Sequence, residues 1–119
     1  MLRTFLASKL HRLVVTEADL DYVGSITLDR DLMELSGIMA GERVLVADLN
    51  SSARFETYAI EAPAGSGTVC INGAAARLAA RGDRIIVMQF VQVDTDREEP
   101  PAPRVVMADD NNRNPRLLT

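Results

Sequence analysis

Gly41-Glu42-Arg43-Val44-Leu45-Val46 and Gly82-Asp83-Arg84-Ile85-Ile86-Val87 follow one pattern of glycine, acid, arginine and three aliphatic residues. Each aliphatic triplet reads as the start of a strand, and each glycine comes shortly after a helix signal. The first helix is expected from about Arg30 to Ser36, with Asp29 as N-cap and Gly37 as its stop. The second is expected over about Ala74 to Ala80, after Asn72-Gly73 and before Gly82. Helix followed by strand, twice, predicts two related halves closed into one barrel, although short strands also match by chance.

The remaining segments agree with a mainly β fold. Leu13-Val14-Val15, Thr57 to Ile60 and Ile85 to Val93 are rich in β-branched or aromatic residues, with breaks at Asn50-Ser51-Ser52 and from Pro63 to Gly67. Asp94 to Pro103 reads as a surface connection, Arg104 to Ala108 as a last strand, and about Asp109 to Thr119 as a polar tail with little to bury. Many short strands in a compact chain must hide their edges, so a small closed β-barrel with short helices is expected.

With 119 residues, 47% of them apolar and 25% charged, the chain reads as a single globular domain, residues 1–119. A net charge of −4 and no basic run argue against nucleic acid as a partner. No apolar run approaches a membrane span and no secretory signal is recognisable, so a cytoplasmic protein without a membrane partner is expected. Cys70 is the only cysteine and His11 the only histidine, which leaves no transition-metal constellation; no metal is expected. Between Val69 and Ile71, Cys70 reads as a small core residue.

Four segments stand in order along the chain: Lys9-Leu10-His11-Arg12, Asp19 to Asp29 with Gly24-Ser25 at its centre, Arg54-Phe55-Glu56-Thr57-Tyr58, and Asn72-Gly73-Ala74-Ala75-Ala76. Taken singly they are a charged strand, a turn, a strand and a turn leading to a helix. Together they resemble the pyruvoyl-dependent aspartate 1-decarboxylase family, from Met1 to about Val93 and again over Arg104 to Asp109. Ser51-Ser52, Arg77 and Asp21 depart from residues common in that family, as does the lack of an aromatic residue in the Pro100 to Pro103 region.

The resemblance implies a six-stranded double-psi β-barrel, assembled as a homotetramer with sites at subunit interfaces. It implies that the chain cuts itself between Gly24 and Ser25 into residues 1–24 (the β chain) and 25–119 (the α chain), with a maturation factor as a further partner to consider. Ser25 would become a covalent pyruvoyl cofactor, and Thr57 would support cleavage by hydrogen-bonding the carbonyl oxygen at the cut. The mature group would form a Schiff base with L-aspartate, with Tyr58 as proton donor. The product is β-alanine, for pantothenate and hence coenzyme A. Arg54 and Lys9 match the two substrate carboxylates, although either taken alone reads first as a solvated surface charge. Thr57, Asn72, Gly73, Ala74 and Ala75 would contact substrate, with His11, Tyr22 and Ile86 shaping the pocket. Thr57 and Tyr58 point to opposite faces of a regular strand, so both roles require a bulge or a shared intersubunit site.

Three other readings remain open on sequence. One is a non-catalytic barrel that binds without processing itself. Another is a pyruvoyl decarboxylase for a different amino acid, against which the paired Arg54 and Lys9 favour a dicarboxylic substrate. The last is a serine hydrolase using Ser25, which lacks an identifiable acid to orient His11.

Overall fold

The computed structural model describes residues 1–22 and 24–118. The chain is mainly β. Its elements are β1 (Leu2–Val14), β2 (Glu17–Asp19), β3 (Ser25–Asp29), α1 (Arg30–Ser36), β4 (Arg43–Asp48), β5 (Arg54–Ala62), β6 (Val69–Asn72), a 3-10 turn (Gly73–Arg77), β7 (Arg84–Asp94), β8 (Arg104–Met107) and β9 (Arg116–Leu117). The strand order is β2-β6-β3-β5-β4-β7-β1-β8-β9, with β3 parallel to β5 and β2 parallel to β6. No ladder joins the two ends of that order among the described residues. β2 nevertheless follows β1 after Val15 and Thr16, and the Thr16 N–H donates to the Val69 carbonyl at 2.8 Å as the chain reaches β6.

Alternation builds the interior. Leu10, Leu13, Ile26, Leu28, Ile71 and Ile85 are almost wholly buried, and Leu32 and Met33 of α1 close over them. At roughly 1.5–3 kcal/mol for each large aliphatic side chain removed from water, this cluster drives the collapse.

The repeated phrases occupy equivalent places. Gly41 N–H donates to Ala59 O, Ala59 N–H to Glu42 O and Glu42 N–H to Met39 O, at 2.8, 3.0 and 3.1 Å. In the other half Gly82 N–H donates to Val15 O, Val15 N–H to Asp83 O and Asp83 N–H to Ala80 O, at 2.8, 2.9 and 3.0 Å. The expected two-half organisation therefore extends to the backbone hydrogen bonds.

The first helix forms where the sequence places it. Asp29 caps it by accepting from Asp31 N–H, and Gly37 ends it at φ 85°. Buried, the Asp29 carboxylate also accepts from the N–H groups of Gly65 and Gly67, which ties the turn after β5 to the start of α1. The second expected helix, about Ala74 to Ala80, is corrected to a 3-10 turn ending at Arg77. Its continuation is drawn off elsewhere: the Leu78 carbonyl accepts from Ser51 Oγ, and Ala80 N–H donates to the Asp83 carboxylate.

The polar tail is also corrected. Arg116–Leu117 pairs with Val106 and Met107, and Asn112 is 1% exposed. The Asn112 side chain accepts from Val14 N–H at 2.8 Å and donates to Val14 O at 2.8 Å and Gly67 O at 2.9 Å. One polar side chain thus completes the backbone hydrogen bonds of two segments, a role that hydropathy does not reveal; the end of the expected tail at Thr119 lies outside the described residues. Replacing Asn112 with Ala should cost about 2–4 kcal/mol, because it leaves buried backbone groups unpaired, and thermal denaturation reads this as a lower melting temperature.

Candidate active site around Ser25

Ser25 opens β3, and its side chain is fully buried. Ile26 and Leu28 point into the core, so Ser25 and Thr27 take the opposite, outward face. On β6, Val69 and Ile71 point inward and Cys70 and Asn72 outward. The antiparallel register sets Ser25 against Asn72 and Thr27 against Cys70, which makes a four-residue polar patch from two period-two patterns.

The Asn72 amide organises that patch. Its Nδ2 donates to Ser25 Oγ at 2.9 Å and to Thr27 Oγ1 at 3.0 Å, while its Oδ1 accepts from the Cys70 thiol at 3.1 Å. The thiol and the Thr27 hydroxyl together fix which end of the amide faces Ser25. Cys70 is buried as expected, and burial, then the nearby Glu17 and Asp19, push its thiol pKa up and keep it in the donating form. Sequence reading missed Thr27 and Cys70 as partners in this site. The available signal was spacing: each stands two residues from a site residue on a strand, hence on the same face.

β3 runs parallel to β5, with Ile26 paired to Ala59. The ladder starts at that pair, one residue after Ser25 and one after Tyr58. β5 pairs with β4 in unbroken register from Tyr58 to Arg54. Phe55 and Ala59 pack toward the core, so Thr57 takes the inward face and Arg54, Glu56 and Tyr58 the outward one. Thr57 and Tyr58 therefore stand on opposite faces of β5, just before Ala59, which pairs with Ile26.

Gly73 packs against the Gly24-Ser25 junction. At φ 69° it holds a conformation that side chains resist, and a Cβ placed there would meet Gly24 Cα at 2.5 Å and Gly24 N at 2.8 Å. The Tyr22 carbonyl would lie 3.2 Å from that same Cβ, while the Tyr22 ring is exposed. Ala74 is exposed, and Ala75, half-buried, packs on the core.

The cations lie farther away on the outward face. Arg54 is four residues from Tyr58, about 13 Å along an extended strand. Lys9 pairs with Met88, which pairs with Leu45, which pairs with Glu56, a row four strands wide that does not reach Ser25. Neither Lys9 nor Arg54 is held in an ion pair among the described residues. Ile86 points outward in the row Ile86, Ala47, Arg54, and an irregularity in β1 between Leu10 and Leu13 brings His11 and Arg12 opposite it. His11 Nδ1 is buried without a partner; burial first, then Lys9 and Arg12, lower the imidazole pKa and favour the neutral ring. A concavity of about 660 Å³ lies beyond the 3-10 turn between Thr16 and Asp83 and is not lined by Ser25.

These features define a class: a small, mainly β domain whose candidate nucleophile is a buried serine at the start of a strand, presented on the outer face of its sheet. Comparison with known proteins supplies the particular family. The chain belongs to the aspartate decarboxylase family, whose model matches residues 1–114. It is 51% identical to the aspartate 1-decarboxylase of Lactiplantibacillus plantarum, over 95% of this chain and 87% of the relative. The aspartate 1-decarboxylases of Neisseria meningitidis serogroup C and Thermoanaerobacter pseudethanolicus are each 50% identical over 95% of this chain, covering 89% and 97% of their own lengths.

Replacing Gly73 with Ala should force either the 3-10 turn or the Gly24-Ser25 junction to move. The expected result is a melting temperature lowered by the equivalent of at least about 1–3 kcal/mol, from the strained φ before the clash is counted.

Proposed function

We propose that the chain removes the α-carboxyl of L-aspartate, releasing β-alanine and carbon dioxide, with a pyruvoyl group made from its own Ser25. Family membership gives the reaction class, and the observation that carries the reading is the hydrogen bond from Asn72 Nδ2 to Ser25 Oγ at 2.9 Å, next to Gly73, where a Cβ would strike Gly24. A fixed donor on Oγ orients its lone pairs and stabilises negative charge that develops there. Small residues and amide donors around the junction fit a pyruvoyl group, which is uncharged and compact.

In self-processing, Ser25 Oγ attacks the Gly24 carbonyl carbon and the peptide C–N bond breaks to leave an ester. Elimination across Cα–Cβ of residue 25 then frees the Gly24 carboxylate, and water replaces the amino nitrogen, which leaves as ammonia. The products are residues 1–24 and 25–119. Thr57 donates to the carbonyl oxygen as it takes up charge.

A pyruvoyl group at residue 25 would supply an electrophilic ketone as a sink for the electrons left on the substrate α-carbon. Tyr58, on the outward face, returns a proton to that carbon. Arg54 and Lys9 bind the substrate carboxylates, with Asn72, Gly73, Ala74 and Ala75 along the floor and His11, Tyr22 and Ile86 at the walls.

The spread of these residues over one outward face supports a homotetramer in which a neighbouring copy covers the site and brings its cations close. The continuity of β1 into β2 and on to β6, with the duplicated hydrogen bonds, supports a six-stranded double-psi barrel closed through that connection. Such an enzyme serves pantothenate and coenzyme A synthesis in the cytoplasm.

Intact mass tests the reading. Purified protein should resolve into two fragments that meet at Gly24-Ser25, the larger lacking its amino nitrogen and trapped as a reduced adduct by borohydride with aspartate. Ser25→Ala should give one uncut, folded chain; cleavage or β-alanine production by that variant would remove Ser25 from the mechanism. Tyr58→Phe should cleave normally yet lose turnover by at least about 100-fold, and full activity would exclude Tyr58 as the proton donor.

A further inference from the structure

Thr27 and Cys70 face one another across the ladder of β3 and β6, as Ser25 and Asn72 do farther along it. The Asn72 side chain, 3% exposed, links all of them. Its amide hydrogens go to the hydroxyls of Ser25 and Thr27, and its carbonyl oxygen takes the Cys70 hydrogen. Which end of an amide faces a serine decides what that serine can do. With Nδ2 toward it, Oγ receives a hydrogen bond that strengthens as the oxygen sheds its own proton and gains charge. With Oδ1 toward it, the amide would instead accept the serine hydrogen and hold the hydroxyl neutral.

Ser25 cannot set that choice, because a hydroxyl accepts or donates as its partner requires. Thr27 and Cys70 set it together. In the arrangement present, Thr27 accepts the second amide hydrogen at 3.0 Å and the thiol gives its hydrogen to Oδ1 at 3.1 Å. In the reversed one, both amide hydrogens would turn to the side of the thiol, whose sulfur is a weak acceptor. Ser25, Asn72 and Cys70 are all buried, and there an amide hydrogen without a good partner is far more costly than in water.

The neighbouring strand keeps the hydrogen on sulfur. β2 pairs with β6 so that Glu17 stands opposite Cys70 and Asp19 opposite Asn72. Burial first, then Glu17 and Asp19, raise the thiol pKa, so Cys70 remains a donor.

We propose that Cys70 and Thr27 are positioning residues for self-cleavage, acting through the Asn72 amide to keep Nδ2 aimed at Ser25 Oγ. The inference rests on the self-processing proposed above and adds to it the side chains that orient the donor.

Matched variants separate this role from packing. Serine and alanine are both smaller than cysteine, but only serine keeps a hydrogen for Oδ1. At position 27, valine is close to threonine in shape and cannot accept, whereas serine retains the hydroxyl. The first-order rate of cleavage at Gly24-Ser25, followed by intact mass after purification, should fall at least about 10-fold in Cys70→Ala and in Thr27→Val. In Cys70→Ser and Thr27→Ser it should stay within about threefold of the original chain. Equal rates within either pair, both fast or both slow, would remove that residue from the positioning role. The Asn72 side-chain NH₂ protons give a readout independent of cleavage: their exchange with solvent should be at least about 10-fold faster in Cys70→Ala than in Cys70→Ser. An original chain that stays uncut while this contrast holds would overturn the self-processing reading and leave the amide orientation standing. Normal cleavage of the original chain without the contrast would overturn the positioning role alone.

Discussion

The interior of this domain is filled with aliphatic side chains, and that constraint decides where its chemistry can be. Leu10, Leu13, Ile26, Leu28, Val46, Ile71, Ile85 and Val87 are buried to within 1% of completeness, so side chains fill the interior between them. Period-two alternation then assigns the intervening residues to the outside. Ser25, Thr27, Cys70, Asn72, Tyr58, Arg54, Lys9 and Ile86 all face outward because their strand neighbours pack inward. Ser25 and Asn72 are buried on that face while Tyr58 and Arg54 are exposed, so a cover from a neighbouring copy would be needed over the latter, which links the proposed assembly to the packing of the core.

Local signals were legible where one residue type decides a local conformation. Asp29 and Gly37 bracket α1 as expected, since capping and a left-handed stop depend only on nearby backbone groups. The 3-10 turn was less legible, because its length is set by Ser51 and Asp83, which lie far away in sequence or beyond its end. Asn112 was illegible for the same reason: its composition is that of a loop, and its partners Val14 and Gly67 are supplied by the fold. The candidate site divides along the same line. Motif resemblance marked Ser25, Asn72 and Tyr58, while the role of Cys70 depends on a cross-strand register that no single segment contains.

The apparent conflict between Thr57 and Tyr58 turns on what lies beside them. Adjacent residues of a regular strand cannot reach one point on one face, and β3 runs alongside β5 with Ile26 against Ala59, one residue beyond Ser25 and Tyr58. In the proposed reaction the two faces would separate a group needed once, while the bond is cut, from a group needed in every turnover.

The duplicated halves show how one backbone solution tolerates different chemistry. Both phrases use an acidic side chain to accept a loop N–H three residues upstream. In the half that contains α1, Gln89 from the other half adds an amide hydrogen to the Glu42 carboxylate. In the half that contains the Gly73 turn, the added tie is the Ser51 hydroxyl on the Leu78 carbonyl. One backbone arrangement is thus fastened by different side chains, because the loop needs a donor and an acceptor but not a particular residue to supply them.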